Sequence, residues 1–265
     1  MIYTCYEMVR DCRDGRDEGW SYFVSNYTPV IHRIVAHYLP GSAADGLVER
    51  LLIAMRQPQS PLFQSHDPAP ERWFVAEMRQ QVLGVIDELR SGAEPEPALD
   101  LELLGGALET LTVVEKQAVW LETMLYTPQE TGTLLRMEPR TIEKIRDRAA
   151  DLLRGMLDTW RRTLLADNGR QLGRLASTVR TAECPPAKAF LDMLDGRSTW
   201  QRREELERHL TGCWYCIDHY CRMAEVLELV RGIQPLPEDE AAKFRAALGI
   251  RPPNKTLWQR WFTAR

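Results

Sequence analysis

Apolar residues recur every three or four positions along most of this chain, and this spacing constrains the fold more than any other feature. The first segment carries one such stripe, made of Trp20, Phe23, Val24, Tyr27, Val30, Ile31, Ile34 and Val35. A stripe with this spacing covers one face of an amphipathic helix, whereas a half-buried strand alternates with period two. No convincing alternating run is present in the sequence. The sequence therefore predicts an all-α protein.

Proline, glycine and charged residues divide the chain into helical segments. The stretch SGAEPEP (91–97) contains two glutamates, two prolines and a glycine, a composition that favours an extended, solvated link. A second break falls in 165–186, where glycines, polar residues and two prolines interrupt the periodicity. We predict domains and linkers in the order 1–92, linker 93–106, 107–166, linker 167–183, 184–236, and a tail at 237–265.

Composition limits the possible classes of function. No run of about 18 apolar residues occurs, so no membrane span is expected. The first residues lack the basic flank and apolar core of a secretory signal, so we expect a cytoplasmic protein. The six cysteines are therefore not expected to form a disulfide framework. The net charge of −4 requires any nucleic-acid surface to be local.

The stretch HLTGCWYC (209–216) combines a histidine with a Cys-x-x-Cys pair, and Cys184 precedes it. Zinc favours four tetrahedral thiolate and imidazole ligands, often a Cys-x-x-Cys knuckle with two ligands from elsewhere. Two helices that meet near Gly196 would return Cys184 to this knuckle. We therefore predict one structural zinc ion held by Cys184, His209, Cys213 and Cys216.

Other interpretations of these residues remain open. The four could be buried without a metal ion, and a redox pair would require a strand–helix unit nearby. His219 and Cys221 are rival or accessory ligands. Cys5 and Cys12, seven residues apart, are expected to be core thiols.

The segment 107–157 carries three apolar stripes separated by short polar interruptions, as a helix-turn-helix requires. Thr127 can cap a helix that begins with Pro128, and Glu130 completes the capping box. Pro139 can open the last helix, whose polar face could enter a major groove. That face carries Arg140, Thr141, Lys144 and Arg148. The alternative is that these charges only solvate a surface helix.

The same segment resembles region 4 of the extracytoplasmic-function (sigma-70 family) RNA polymerase sigma factors. Matching positions include Leu108, Leu111, Thr127, Glu130, Leu135, Thr141, Ile142, Arg148, Ala149 and Arg154. The chain departs from the family pattern at Thr131 and Gly132, which replace Ile-Ala, and at Arg136, which replaces glycine. The resemblance implies that Arg140, Thr141, Lys144 and Arg148 contact the minus 35 promoter element.

The first segment is similar to region 2 of the same family. The stretch ADGLVERLLIAM (44–55) resembles the part that docks on core RNA polymerase, which implies polymerase contacts by Asp45, Leu47, Val48 and Leu51. The alternative is an amphipathic helix that packs inside its own domain, as Leu47, Leu51 and Leu52 are expected to do in part. The stretch WFVAEMRQQVLGVIDELR (73–90) corresponds to the promoter-melting motif, but Arg79-Gln80 replaces an Arg-Asn pair. Two basic residues stand against three acidic ones there, which indicates unusual promoter choice or impaired melting.

The last segment resembles the zinc-containing anti-sigma domain through Leu194, Asp195, Gly196, His209, Leu210, Cys213 and Cys216. In that family the domain wraps between the two sigma domains and blocks polymerase. Here it would follow the sigma part in one chain, at a high effective concentration. The resemblance implies that this domain restrains the sigma part. The opposite hypothesis is that it braces the active form.

Together these features predict a sigma factor that directs RNA polymerase to specific promoters and is regulated by a fused zinc-binding domain. Its expected partners are core RNA polymerase, promoter DNA, and a separate inhibitory or signalling protein as a further candidate. No activated nucleophile or phosphate loop is present, and four protein ligands would leave zinc no catalytic position, so no enzyme activity is expected. The alternative is a non-melting adaptor or inhibitor that uses the sigma fold to bind polymerase or a regulatory partner.

Overall fold

The computed structural model describes residues 3–39, 46–64, 70–90, 105–106, 108–156 and 169–251. Within these ranges every regular element is a helix, which confirms the predicted all-α class. The helices are α1 Cys5–Arg13, α2 Asp17–Tyr38, α3 Leu47–Met55, α4 Pro61–Gln64, α5 Glu71–Arg90, α6 Val113–Thr123, α7 Pro128–Leu135, α8 Pro139–Met156, α9 Gly169–Thr178, α10 Ala187–Leu194, α11 Trp200–Gly212, α12 Trp214–Arg231 and α13 Glu238–Ala247. None of the helices in the described ranges is both long and apolar enough to cross a membrane.

The chain forms two compact units. The first comprises Met1–Ala93 and Leu229–Arg265, and the second comprises Glu94–Glu228. Helix α12 begins in the second unit, and its last residues belong to the first. The predicted linker at 93–106 lies largely outside the described residues.

The first unit is built around the apolar stripe of α2. Its aromatic side chains pack edge to face or stack with those of α4 and α5, with ring centroids 4.9 to 6.1 Å apart; the cluster comprises Trp20, Phe23, Tyr27, Phe63 and Phe74. The Tyr27 hydroxyl donates to Glu71 Oε1 at 2.7 Å. Of the two predicted core thiols, Cys12 is buried in this core, whereas Cys5 is half-buried.

The segment predicted as a tail contributes to the same unit. Helix α13 packs against α2, and the Leu236 backbone N–H donates to the Ser25 carbonyl at 2.8 Å. The guanidinium of Arg245 is buried and pairs with Glu238. Residues 237–251 are therefore part of the first folded unit.

In the second unit, two segments predicted as separate domains share one hydrophobic core. Trp120 of α6 lies in the same cluster as Phe190 of α10, Leu206 of α11 and Ile217 of α12. The predicted linker at 167–183 contains α9, whose Ala176 is fully buried in that core. Gly173 of α9 has no side chain where the Arg222 guanidinium lies, which allows α9 to approach α12 closely.

We expect Gly19→Ala to destabilise the first unit. A Cβ at Gly19 would lie 2.7 Å from the Cys12 backbone nitrogen, so α1 and α2 would have to move apart. Overpacking of this kind costs about 1–3 kcal/mol. The matched control is Gly84→Ala in α5, where a Cβ meets nothing within 4 Å and helix propensity should improve. Urea unfolding of both variants measures the difference, and equal stability would contradict the close approach.

Candidate functional site: metal centre and helix-turn-helix

Four side chains converge in the second unit in the arrangement that a metal ion requires. The ligand atoms of Cys184, His209, Cys213 and Cys216 all lie within 4.8 Å of one another. Cys184 Sγ and Cys213 Sγ are 3.7 Å apart, and His209 Nε2 is 3.1 Å from Cys216 Sγ. Sulfur ligands of a tetrahedral zinc ion stand about 3.8 Å apart, given Zn–S bonds of about 2.3 Å. The donor set and its spacing therefore fit one zinc ion.

Local structure explains how these residues meet. His209 lies in the last turn of α11, which ends at Gly212. Cys213 is a single extended residue (φ −120°, ψ 103°) between α11 and α12, and Cys216 lies in the first turn of α12. Gly196, at φ +71°, makes the turn after α10 that returns the chain toward Cys184. The predicted pair of helices between Cys184 and the knuckle is therefore present.

The electrostatics of the cluster also favour a cation. Burial raises the pKa of Cys213 and of Cys216. Burial acts in the same direction on Cys184, but hydrogen bonds outweigh it, including one that the Thr181 backbone N–H donates at 3.3 Å, and lower the pKa of Cys184 to about 6. Three neighbouring thiols cannot all ionise without a compensating charge. A bound zinc ion supplies that charge and would hold all three as thiolates.

The rival ligands lie outside this cluster. Cys221 is fully buried, and its Sγ donates to the Gln117 carbonyl at 3.8 Å. His219 stacks on Tyr215 with ring centroids 5.8 Å apart and meets the edge of Phe190. The redox interpretation also lacks its context, because no strand occurs in the described ranges.

Zinc content tests this assignment directly. We expect the purified chain to contain one zinc ion, and Cys213→Ser or Cys216→Ser to remove most of it, because each substitution deletes a thiolate ligand. Cys5→Ser is the matched control, since Cys5 lies in α1 and outside the cluster. Metal analysis after exhaustive dialysis gives the stoichiometry. Zinc retained by both knuckle variants would refute the assignment.

The last two helices of the helix-turn-helix segment begin where the sequence predicts. Thr127 caps α7 with a complete capping box to Glu130, Pro128 is its first residue, and Pro139 opens α8. An equivalent box formed by Thr112 and Glu115 caps α6. Helices α7 and α8 are joined by a three-residue turn, which is typical of this motif.

The departures from the sigma pattern have structural reasons. A Cβ at Gly132 would lie 2.6 Å from the Met137 carbonyl oxygen, so only glycine allows the turn to close against α7. Arg136 has a left-handed backbone (φ 56°), and the family pattern has glycine at this position. Thr131 accepts a hydrogen bond from the Arg146 guanidinium at 3.0 Å.

Arg146 is a residue that sequence reasoning missed. Its guanidinium also donates to the Tyr126 carbonyl at 2.6 Å and lies 3.5 Å from Glu122. It thus connects α6, α7 and α8. The only signal in the sequence is a polar Thr131 at a position where the family has an apolar residue.

The predicted DNA-contacting residues lie at the surface of α8. Arg140, Thr141 and Lys144 are exposed, while Ile142 and Ile145 are buried on the opposite side of the helix. Arg148 is also exposed, but its Nη1 donates to Glu115 Oε1 at 2.8 Å. Arg148 therefore has an ion-pair partner within the motif, and its predicted contact with DNA stays a prediction.

The predicted polymerase-contacting side chains are not at the surface. Leu47, Val48 and Leu51 are 1%, 7% and 2% exposed and belong to the core of the first unit. Asp45 lies outside the described residues. The docking role was implied by the family resemblance, whereas burial of these three leucine and valine side chains agrees with the alternative of an amphipathic helix packed inside its own domain. The outward side of α3 instead carries Glu49, Arg50 and Ile53.

In comparisons with known proteins, the chain matches no family model, no curated protein and no solved structure.

Proposed function

We propose that this chain is a sigma-type transcription factor that directs RNA polymerase to promoters and is regulated through its zinc-binding segment. The observation that carries the proposal is the amphipathic division of α8. Its first two turns present Arg140, Thr141 and Lys144 to solvent, while the buried side anchors the helix to α6 and α7. A recognition helix needs this arrangement to place its first residues against base edges in a major groove.

The charges around this helix limit how tightly it can bind DNA alone. Glu143 and Asp147 are exposed beside Arg140 and Lys144, and Arg148 is engaged by Glu115. Phosphate neutralisation by basic residues supplies most non-specific affinity, so few such contacts mean weak binding. Promoter selection would then depend on the attachment of this helix to polymerase, which supplies the remaining affinity.

The zinc centre has a structural part in this proposal. Residues Cys184, His209, Cys213 and Cys216 would fill all four positions of a tetrahedral ion, which leaves none for a reacting water molecule. We therefore propose no enzyme activity for the chain.

A second function, that of a non-melting adaptor or inhibitor, is favoured by one observation in α5. Arg79, one of the two basic residues in the stretch that corresponds to the melting motif, is 3% exposed and donates to the Tyr38 hydroxyl at 2.8 Å. The exposed side chains of α5 include Glu77, Gln80 and Glu88. A surface that holds separated DNA strands normally carries positive charge. This adaptor would bind polymerase without opening promoters.

We expect Arg140→Ala combined with Lys144→Ala to weaken binding to a cognate minus 35 duplex, by about 1–3 kcal/mol if either side chain reaches a base edge. The control with an equal charge change is Lys188→Ala combined with Arg202→Ala, two exposed positions elsewhere in the second unit. Fluorescence anisotropy at fixed salt measures both. Identical affinities for the two double variants would favour the adaptor.

Polymerase binding and transcription separate the two functions. The sigma proposal predicts that the chain retains core RNA polymerase in a pull-down and yields run-off transcripts from a promoter selected from a random library. The adaptor predicts retention of polymerase without a transcript, because the exposed Glu77 and Glu88 of α5 disfavour contact with separated DNA strands. No retention of polymerase would contradict both.

A further inference from the structure

We propose that metal occupancy of the Cys184, His209, Cys213 and Cys216 cluster stabilises helix α6, and through it the helix-turn-helix. The metal-binding segment, residues 184–228 of the second unit, then supports the helix-turn-helix and does not mask its exposed side chains. The inference depends on the metal centre, not on the proposed role in transcription.

Lys116 forms the first connection between α6 and the metal centre. This lysine is 5% exposed, and its Nζ donates to the Thr211 carbonyl at 2.8 Å. Thr211 lies in the last turn of α11, two residues after His209, where carbonyl groups lack helical partners and favour a positive charge. Helix α6 thus caps the helix that carries the histidine ligand.

Trp214 forms the second connection. It directly follows the ligand Cys213 and stacks on Trp120 of α6, with ring centroids 5.3 Å apart and planes 25° apart. The same indole lies 6.0 Å from the Lys116 ammonium. A metal ion that fixes Cys213 between two helices therefore also fixes an aromatic surface on which α6 rests.

A buried hydrogen bond extends this contact along α12. The Trp120 Nε1–H donates to Asp218 Oδ1 at 3.0 Å, and Asp218 Oδ2 accepts from Arg222 Nε at 2.7 Å. Asp218 is 6% exposed and lies two residues after the ligand Cys216. If the first turn of α12 shifted, this carboxylate would move away from the indole and leave a buried donor without its partner, which is costly.

Helix α6 needs such support because of its length. It spans eleven residues, and isolated helices shorter than about 12–15 residues are marginal in water. Lys116, Gln117 and Trp120 are all buried, and each contacts the metal-binding segment. Loss of the ion would release Cys213 and Trp214 together, so the loaded state favours the packed arrangement of α6.

The contacts between α6 and the metal-binding segment do not cover the exposed side of α8. Arg140, Thr141 and Lys144 remain exposed with the metal-binding segment in place. Within this unit the segment supports α6 and does not cover those three side chains. The contact is therefore suited to stabilising the motif rather than to masking it.

Hydrogen exchange on the full chain tests the inference without DNA or polymerase. The chain is compared with bound zinc and after chelation under reducing conditions. We expect amide exchange in Val113–Thr123 to accelerate at least about tenfold on zinc removal, while α2 of the first unit stays unchanged. Unchanged α6 exchange in a chain shown to lose its zinc would overturn the proposal. Equal acceleration in α2 would also overturn it, since the effect would then be general unfolding.

A variant at Lys116 tests the hydrogen bond to the Thr211 carbonyl separately from the binding of the metal ion. Lys116→Met should keep the zinc stoichiometry yet show fast exchange in α6 even when loaded, because the donor to Thr211 is gone. Lys188→Met, at an exposed position of the same unit, should behave as the unaltered chain. Slow α6 exchange in zinc-loaded Lys116→Met would contradict the role of Lys116. The zinc comparison on the unaltered chain decides the main question even if this variant fails to fold.

Discussion

The second unit depends on the burial of one face of α6. That face places Trp120 in a core shared with Phe190, Leu206 and Ile217, and it also carries the buried Lys116. The charge of Lys116 is stabilised in this position by its hydrogen bond to the Thr211 carbonyl and by the face of the Trp214 ring. Both the helix-turn-helix and the metal-binding segment are arranged around this face. Their separation into independent domains would expose Trp120 and Lys116 to solvent and remove the hydrogen bonds to Asp218 and Thr211.

Much of the local structure could be predicted from the sequence because its causes are local. The Thr127 capping box, Pro128 and Pro139 mark helix ends through backbone chemistry that acts within one turn. The metal cluster was also predictable, because three ligands lie within eight residues and only Cys184 is distant. Helical periodicity likewise identified the buried stripe of α2.

The remaining features arise from contacts between distant residues. The sequence pattern of Leu47, Val48 and Leu51 is the same for a docking surface and for a core, and only packing distinguishes them. The residues of α9 were predicted as a linker because glycines are poor helix formers. In the structure, the missing side chain of Gly173 leaves space for the Arg222 guanidinium. The shared core of the second unit joins α6 to side chains about a hundred positions away, a relation that no local pattern encodes.

The turn between α7 and α8 places a left-handed backbone on a residue other than glycine. The residue with a left-handed backbone is Arg136, which strongly resists this conformation outside a folded structure, while the glycine lies inside α7 at position 132. The left-handed backbone of Arg136 costs about 1–2 kcal/mol that a glycine would not pay, and Gly132 lowers the intrinsic helix propensity of α7. Arg136 keeps this conformation because the packing around the turn holds it there. The angle between α7 and α8 is therefore set by the packing of the two helices rather than by the backbone preferences of the turn residues.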